Sequence, residues 1–179
     1  MIHTAEYDSP IGPITLASDG THLVGLWLRG QKYYGDGVPG EWTAEENLPV
    51  LAAGKEWLRR YFAGEKPLPG ELPLAPAGSE FRQTVYKLLC EIPYGETVSY
   101  GQLAKQAAAG LGLASMSAQA VGGAVGHNPI SIIIPCHRIV GASGSLTGYA
   151  GGIQTKRWLL KHEGVPMERF ALPRRGSAL

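Results

Sequence analysis

The sequence predicts a mixed α/β protein of the α+β kind, with a small antiparallel sheet and one helix in its first domain and a largely helical second domain. Three observations carry this. Apolar residues alternate around an Asp-Gly turn near the N-terminus, four prolines interrupt the chain between residues 65 and 76, and apolar residues recur at helical spacing from Ser79 onward. The chain has 179 residues, enough for one large domain or two small ones with a real core.

In the first segment, Ile14 and Leu16, then Leu23, Val24, Leu26 and Leu28, flank Ser18-Asp19-Gly20-Thr21. Asp-Gly between apolar alternations marks a hairpin, because glycine accepts the positive φ of a tight turn. Residues 30–46 are polar and glycine-rich. Asn47 is expected to cap a helix with Pro49 in its first turn, with Leu51, Lys55, Leu58 and Phe62 along it and Gly64 closing it. Pro67, Pro69, Pro73 and Pro76 then read as a stiff linker. The expected layout is a first domain with its linker over 1–76, a second domain over 77–170, and a tail over 171–179 whose PRRGSAL end is expected to be disordered.

Charge changes at the same boundary. Residues 1–76 carry 6 Lys/Arg against 10 Asp/Glu, and residues 77–179 carry 10 against 5, so the formal net charge of +1 combines −4 with +5. A basic half suggests a polyanionic partner, although an uneven solvated surface would read the same way.

Ser79 is the expected cap of an amphipathic helix through Phe81, Val85, Leu88, Leu89 and Ile92, stopped by Pro93; Cys90 within it reads as a packed core thiol. Ser99 with Gln102 forms a capping-box pattern for a helix through Leu103 and Ala107. After Gly110-Leu111-Gly112, Ser117 starts a short helix ended by Asn128-Pro129. Two short helices joined by a turn in the basic half suggest a helix-turn-helix. The second carries Ala120, Gly122, Gly123 and Ala124, and each glycine costs about 1 kcal/mol relative to alanine. Such a helix either packs backbone-close against a neighbour or enters a narrow space such as a DNA minor groove.

The longest strongly apolar run, Ile130 to Ile134, is too short to cross a membrane, and the N-terminus lacks a secretory pattern, so a cytoplasmic address is expected. Two cysteines, Cys90 and Cys136, make neither a disulfide framework nor a zinc motif. Ile130 to Ile134 reads as a strand leading into Pro135-Cys136-His137-Arg138 and a loop containing Gly141, Gly144, Gly148, Gly151 and Gly152. Beside a histidine and an arginine, Cys136 lies in a setting that favours thiolate. In an extended chain His137 would point away from Cys136 and reach it only through a bend or a bridging water. From these residues alone, a strand-end cysteine with a chance histidine stays open.

PCHRIVGASGSLTGYAGG, preceded by AVGGAVGHNP, followed by KRWLLKHEG and extended back through FRQTVYKLLCEIPYGETVSYGQLA, resembles the O6-alkylguanine-DNA alkyltransferases, also called methylated-DNA–protein-cysteine methyltransferases. The resemblance covers Glu80 to Gly164, and the first half matches in size and coarse pattern only. It implies a ribonuclease-H-like first domain and a winged helix-turn-helix in the second. It further implies stoichiometric, suicidal transfer of an alkyl group from guanine O6, and from thymine O4 as a further substrate, to Cys136, without a cofactor. His137 would act as base through a water, Glu163 would orient it, and Asn128 would brace the turn before Cys136. Glu163 near a helix C-terminus is otherwise disfavoured by the macrodipole, which a partner such as His137 would explain.

By the same resemblance Tyr100 would meet the phosphate and assist the departing guanine, Tyr149 would line the base pocket, and backbone at Cys136, Ile139 and Ala150 would bond the guanine edge. The implied partner is double-stranded DNA, entered from the minor groove with the alkylguanine flipped out, through Gln119, Ala120, Gly123 and Ala124. No membrane is involved and the chain is expected to be a monomer. Gln119 stands where the family usually carries an arginine that replaces the flipped base, and a neutral glutamine lacks its charge and stacking. No metal is expected, since the first domain has no cysteine. The alternatives are a module that binds alkylated bases without transfer and a cysteine hydrolase. Stoichiometry separates all three, at one turnover, none or many.

Overall fold

The computed structural model describes residues 1–171; of the tail expected over 171–179, all but Ala171 lies outside the described residues. The chain forms two compact units. The first contains Met1–Ala77 and Pro129–Ile133, and the second contains Gly78–Asn128 and the chain from Ile134 onward.

The first unit is built on β1 (Ile2–Ser9), β2 (Gly12–Ser18), β3 (Leu23–Leu28) and β4 (Trp42–Ala44), in the order β3-β2-β1-β4. β1, β2 and β3 pair antiparallel as expected, and the Asp19 carboxylate closes the β2–β3 turn by accepting from the backbone N–H of Thr21 (2.9 Å) and His22 (2.7 Å). β4 runs parallel to β1, so the sheet is mixed rather than purely antiparallel. Three residues inside a polar, glycine-rich stretch are too few to show an alternation, which hid β4 from the sequence. Trp42 stacks on Trp27 with ring centroids 5.4 Å apart, over a cluster of Ile2, Ala17, Trp27 and Val38.

The other face receives α1 (Pro49–Phe62). Successive strand residues face opposite ways, so Leu16 points to the helix while Ala17 points to the tryptophans. Gly54 permits the close approach: a Cβ there would come within 2.8 Å of the Leu16 side chain. The helix starts one residue later than expected. Pro49 at the first helical position forces Leu48 to be extended, so Leu48 is the cap, without a side-chain bond, and Asn47 lies outside. Gly64 closes the helix as expected, at φ +84°, with Gly64 N donating to Tyr61 O and Glu65 N to Arg60 O (both 3.0 Å).

The proline-rich stretch, expected as a stiff linker, is bonded along this unit as a strap. Leu23 N donates to Pro73 O (2.8 Å), Ala75 N to Leu23 O (2.9 Å), and the Trp57 indole to Leu68 O (2.8 Å). Farther along β3, Leu26 N donates to Pro129 O (2.8 Å) and Ser131 N to Leu26 O (3.0 Å). The strand expected over Ile130–Ile134 is absent. A single bridge joins Ile130 to Leu26, and then Ile132 turns at φ +70° while Ile133 N bonds Ser131 O at 2.8 Å. That is a γ-turn of the strained, positive-φ type, on a β-branched residue with no exposed surface.

The second unit contains α2 (Glu80–Cys90), β5 (Val98–Ser99), α3 (Tyr100–Gly110), α4 (Ala118–Gly126), β6 (Ile139–Val140) and α5 (Ile153–His162). Ser79 caps α2 and Ser117 caps α4, each accepting from the third helical N–H, and Ser99 with Gln102 forms the expected capping box on α3. The helices pack through Val85, Leu89, Leu103, Ala107, Val121 and Val125, all buried. A further cluster, Val140, Leu146, Leu160 and Val165, lies beneath α5. Among the described residues no helix is long and apolar enough to cross a membrane.

Candidate functional site

Two backbone devices set the position of Cys136. Pro135, at φ −81° and ψ 63°, makes an inverse γ-turn closed by Cys136 N to Ile134 O (2.8 Å), and the Asn128 side-chain amide donates to the same carbonyl (2.8 Å). Cys136–Arg138 then form one 3-10 turn that runs directly into β6. Consecutive side chains on such a turn project about 120° apart, not on opposite sides as a strand would place them. The cysteine, histidine and arginine are all buried.

The His137 ring nitrogen Nε2 lies 2.5 Å from Glu163 Oε2, while its Nδ1 is buried without a protein partner. Arg138 donates from Nε to Glu163 Oε1 (2.8 Å), from Nη2 to Oε2 (3.2 Å), and from Nη1 to Ile92 O (2.6 Å). Gly95 N adds a bond to Glu163 Oε1 (3.1 Å). Glu163 caps the C-terminal end of α5, where an anion is disfavoured, and these donors offset that position. Burial alone would raise the Glu163 carboxyl, but His137 and Arg138 outweigh it and hold it well below the usual carboxylate range. Burial pushes the His137 imidazole down, so it is neutral at rest even beside Glu163.

Cys136 departs from the expected electropositive setting. Its burial raises the thiol pKa, and the Asn128 side chain and the Lys156 charge only partly oppose this. Arg138 turns its guanidinium to Glu163, so the cation facing the thiol is Lys156. That lysine, with no exposed surface, donates to the carbonyls of Ile139 and Thr147 (2.8 Å to the latter), and burial pushes it down to about 8. Sequence reasoning missed it, although a signal was there: Lys156 sits three and four residues before Leu159 and Leu160, on the buried stripe of its helix.

Tyr100 is brought beside this turn by the β5–β6 ladder, which pairs Ser99 with Val140. Its hydroxyl donates to Thr147 O (3.0 Å), and burial raises its pKa. Tyr149 and Ala150 lie half-buried on the same loop, residues 141–152, and Ile139 is buried with its carbonyl bonded to Lys156. On α4, Gln119, Ala120 and Gly123 are exposed, whereas Ala124 is buried on the inner face and is not part of an outward surface. A Cβ added at Gly123 would meet nothing within 4 Å, and at Gly122 only ordinary contact with the Tyr100 ring, so internal packing does not require these glycines. Cys90 is half-buried, its thiol pushed up to about 11 by burial.

Residues 2–76 match the family model described as the 6-O-methylguanine DNA methyltransferase ribonuclease-like domain, and residues 80–165 match the DNA binding domain of the same family. The chain is 47% identical over 163 residues to a methylated-DNA–protein-cysteine methyltransferase of Mycobacterium tuberculosis, covering 91% of this chain and 93% of that protein. It is 41% identical over 162 residues to the protein of that name from Haemophilus influenzae, covering 89% and 85%. The crystal structure of the Mycobacterium tuberculosis protein OGT in complex with DNA superposes with a TM-score of 0.79 at 44% identity, over 93% of this chain and 96% of that one.

Proposed function

The chain belongs to the 6-O-methylguanine DNA methyltransferase family, whose members repair DNA by moving an alkyl group from guanine O6 to a cysteine of their own, and we propose that Cys136 is that cysteine here. The observation that carries this choice is the buried Cys136-His137-Glu163 set, in which Glu163 holds one nitrogen of the imidazole and the other, Nδ1, is without a protein partner. A water between Nδ1 and the thiol can pass the thiol proton to His137. The thiolate then attacks the alkyl carbon on O6, a carbon–sulfur bond forms, the carbon–O6 bond breaks, and its electron pair leaves with the guanine. A raised thiol pKa makes that base necessary. The thioether has no route back, so each molecule acts once.

Asn128 supports the thiol from the side, and Tyr100 can protonate the departing guanine once its hydroxyl leaves the Thr147 carbonyl. Tyr149, Ala150 and the backbone of Ile139 would receive the flipped base. The outward Gln119, Ala120 and Gly123 of α4 would meet the minor groove of duplex DNA, and the glycine that packing does not require supports a close approach there. A reactive thiol in a chain with two free cysteines fits a reducing compartment, and we assign it to the cytoplasm.

Intact mass after incubation with excess duplex containing O6-methylguanine tests the reading. One added methyl per chain, mapped to Cys136 and absent in Cys136→Ser, is expected. Labelling by free O6-benzylguanine but not by duplex would assign the fault to base extrusion at Gln119, and no labelling by either would overturn the transfer reading in favour of a lesion-binding module.

A further inference from the structure

We infer that Arg138 sets the protonation of the buried His137–Glu163 pair, keeping the imidazole free to act as a base, a role that holds only if Cys136 is the alkyl acceptor proposed above. The geometry is that of a charge cancelled in place. Two guanidinium nitrogens of Arg138 bond the two oxygens of Glu163, the third bonds Ile92 O, and the side chains of His137 and Glu163 have no solvent exposure. A buried cluster is least unfavourable when its charges sum to zero. With Arg138 cationic and Glu163 anionic the sum is zero while His137 is neutral, and a proton on the ring would unbalance it. If the charge of Arg138 were removed, the pair would become neutral only by taking up a proton. The base would then be occupied before the thiol could use it.

The other groups facing the pair do not replace this charge. Lys156, from α5, also opposes a proton on His137, but its bonds go to the carbonyls of Ile139 and Thr147. Tyr94 presents its ring 5.8 Å from the Arg138 guanidinium, and burial raises its hydroxyl pKa, as it does the thiols of Cys90 on α2 and Cys136. All three are therefore uncharged neighbours near neutrality. The proton step concerned is simple: the thiol proton moves through a water to His137 Nδ1, and the electron pair stays on sulfur.

The test measures single-turnover transfer from O6-methylguanine duplex against pH in the wild type, Arg138→Gln and Arg138→Lys, with NMR titration of the His137 ring in each. Arg138→Gln keeps hydrogen-bond donors and loses the charge. Its acid limb and its His137 titration should both move up by about one pH unit or more, so that the loss of rate is largest at low pH and shrinks as pH rises. Arg138→Lys keeps the charge and should leave both near their wild-type positions. A double variant, Arg138→Gln with Glu163→Gln, removes both charges and should return the His137 titration to or below the wild-type value. Equal loss of rate at every pH with an unmoved His137 titration, or a shift in Arg138→Lys as large as in Arg138→Gln, would overturn the role and leave Arg138 a structural brace. The ring titration needs no alkylated DNA, so a wild type that transfers nothing would sink the transfer reading while the NMR result still decides the charge argument.

Discussion

Lys156 links the turn that carries Cys136 to the loop over residues 141–152, because one ammonium bonds the carbonyls of Ile139 and Thr147 while its charge faces Cys136. Replacing it with methionine removes a cation that lowers the thiol pKa, so that pKa should rise and transfer near neutrality should slow by roughly an order of magnitude. Iodoacetamide titration of Cys136 and single-turnover kinetics check both. The stability change has a definite sign as well. With the folded pKa near 8 and the ordinary value at 10.5, the unfolded chain binds more protons between these limits, so this lysine makes stability climb with pH across that window. The difference between wild type and Lys156→Met in denaturant titrations should follow that climb, up to roughly 3 kcal/mol at about 1.4 kcal/mol per unit. At this scale, Cys136, His137 and Glu163 were legible because they sit in a motif. The partner of Arg138 was not, since a contact between residues 138 and 163 leaves no local pattern in sequence, and Lys156 left only its place on the buried stripe of its helix.

Helix α4 carries a local composition that packing inside the second unit does not require. Its glycines lower helix stability, yet a methyl group at Gly123 has open space. Gly123→Ala should therefore stabilise the folded protein by up to about 1 kcal/mol while weakening duplex binding, as read by thermal unfolding and by fluorescence anisotropy on labelled DNA. Stabilisation with unchanged DNA affinity would remove α4 from the contact surface. The caps of α2, α3 and α4 were legible to the residue, because Ser79, Ser99 and Ser117 each act within one turn. Ile130–Ile134 misled for the opposite reason. An apolar run states that residues are buried, not whether they are extended, and here the carbonyls of Ser131 and Ile134 each close a γ-turn by accepting from Ile133 N and Cys136 N.

Across the whole molecule, the order of the chain and its division in space disagree. The charge switch and the prolines placed a boundary near residue 76, but Pro129–Ile133, from within the second half, completes the first unit on β3. β3 lies at the edge of its sheet, and Pro73–Ala75 with Pro129–Ser131 take up backbone groups that a bare edge would present. Native-state hydrogen exchange should therefore find the amides of Leu26 and Ser131 opening together with β1 and β2, at one free energy. Exchange of Ser131 in step with α2 and α3 would show that the segment belongs to the second unit instead. For the gene, the join near residue 77 is then not a neutral crossover point. A recombinant that drew its first 77 residues from a relative would have to seat a foreign Pro129–Ile133 on its β3. Compatible parents must match at that strand as well as at the join, which couples the inheritance of the two halves through five residues.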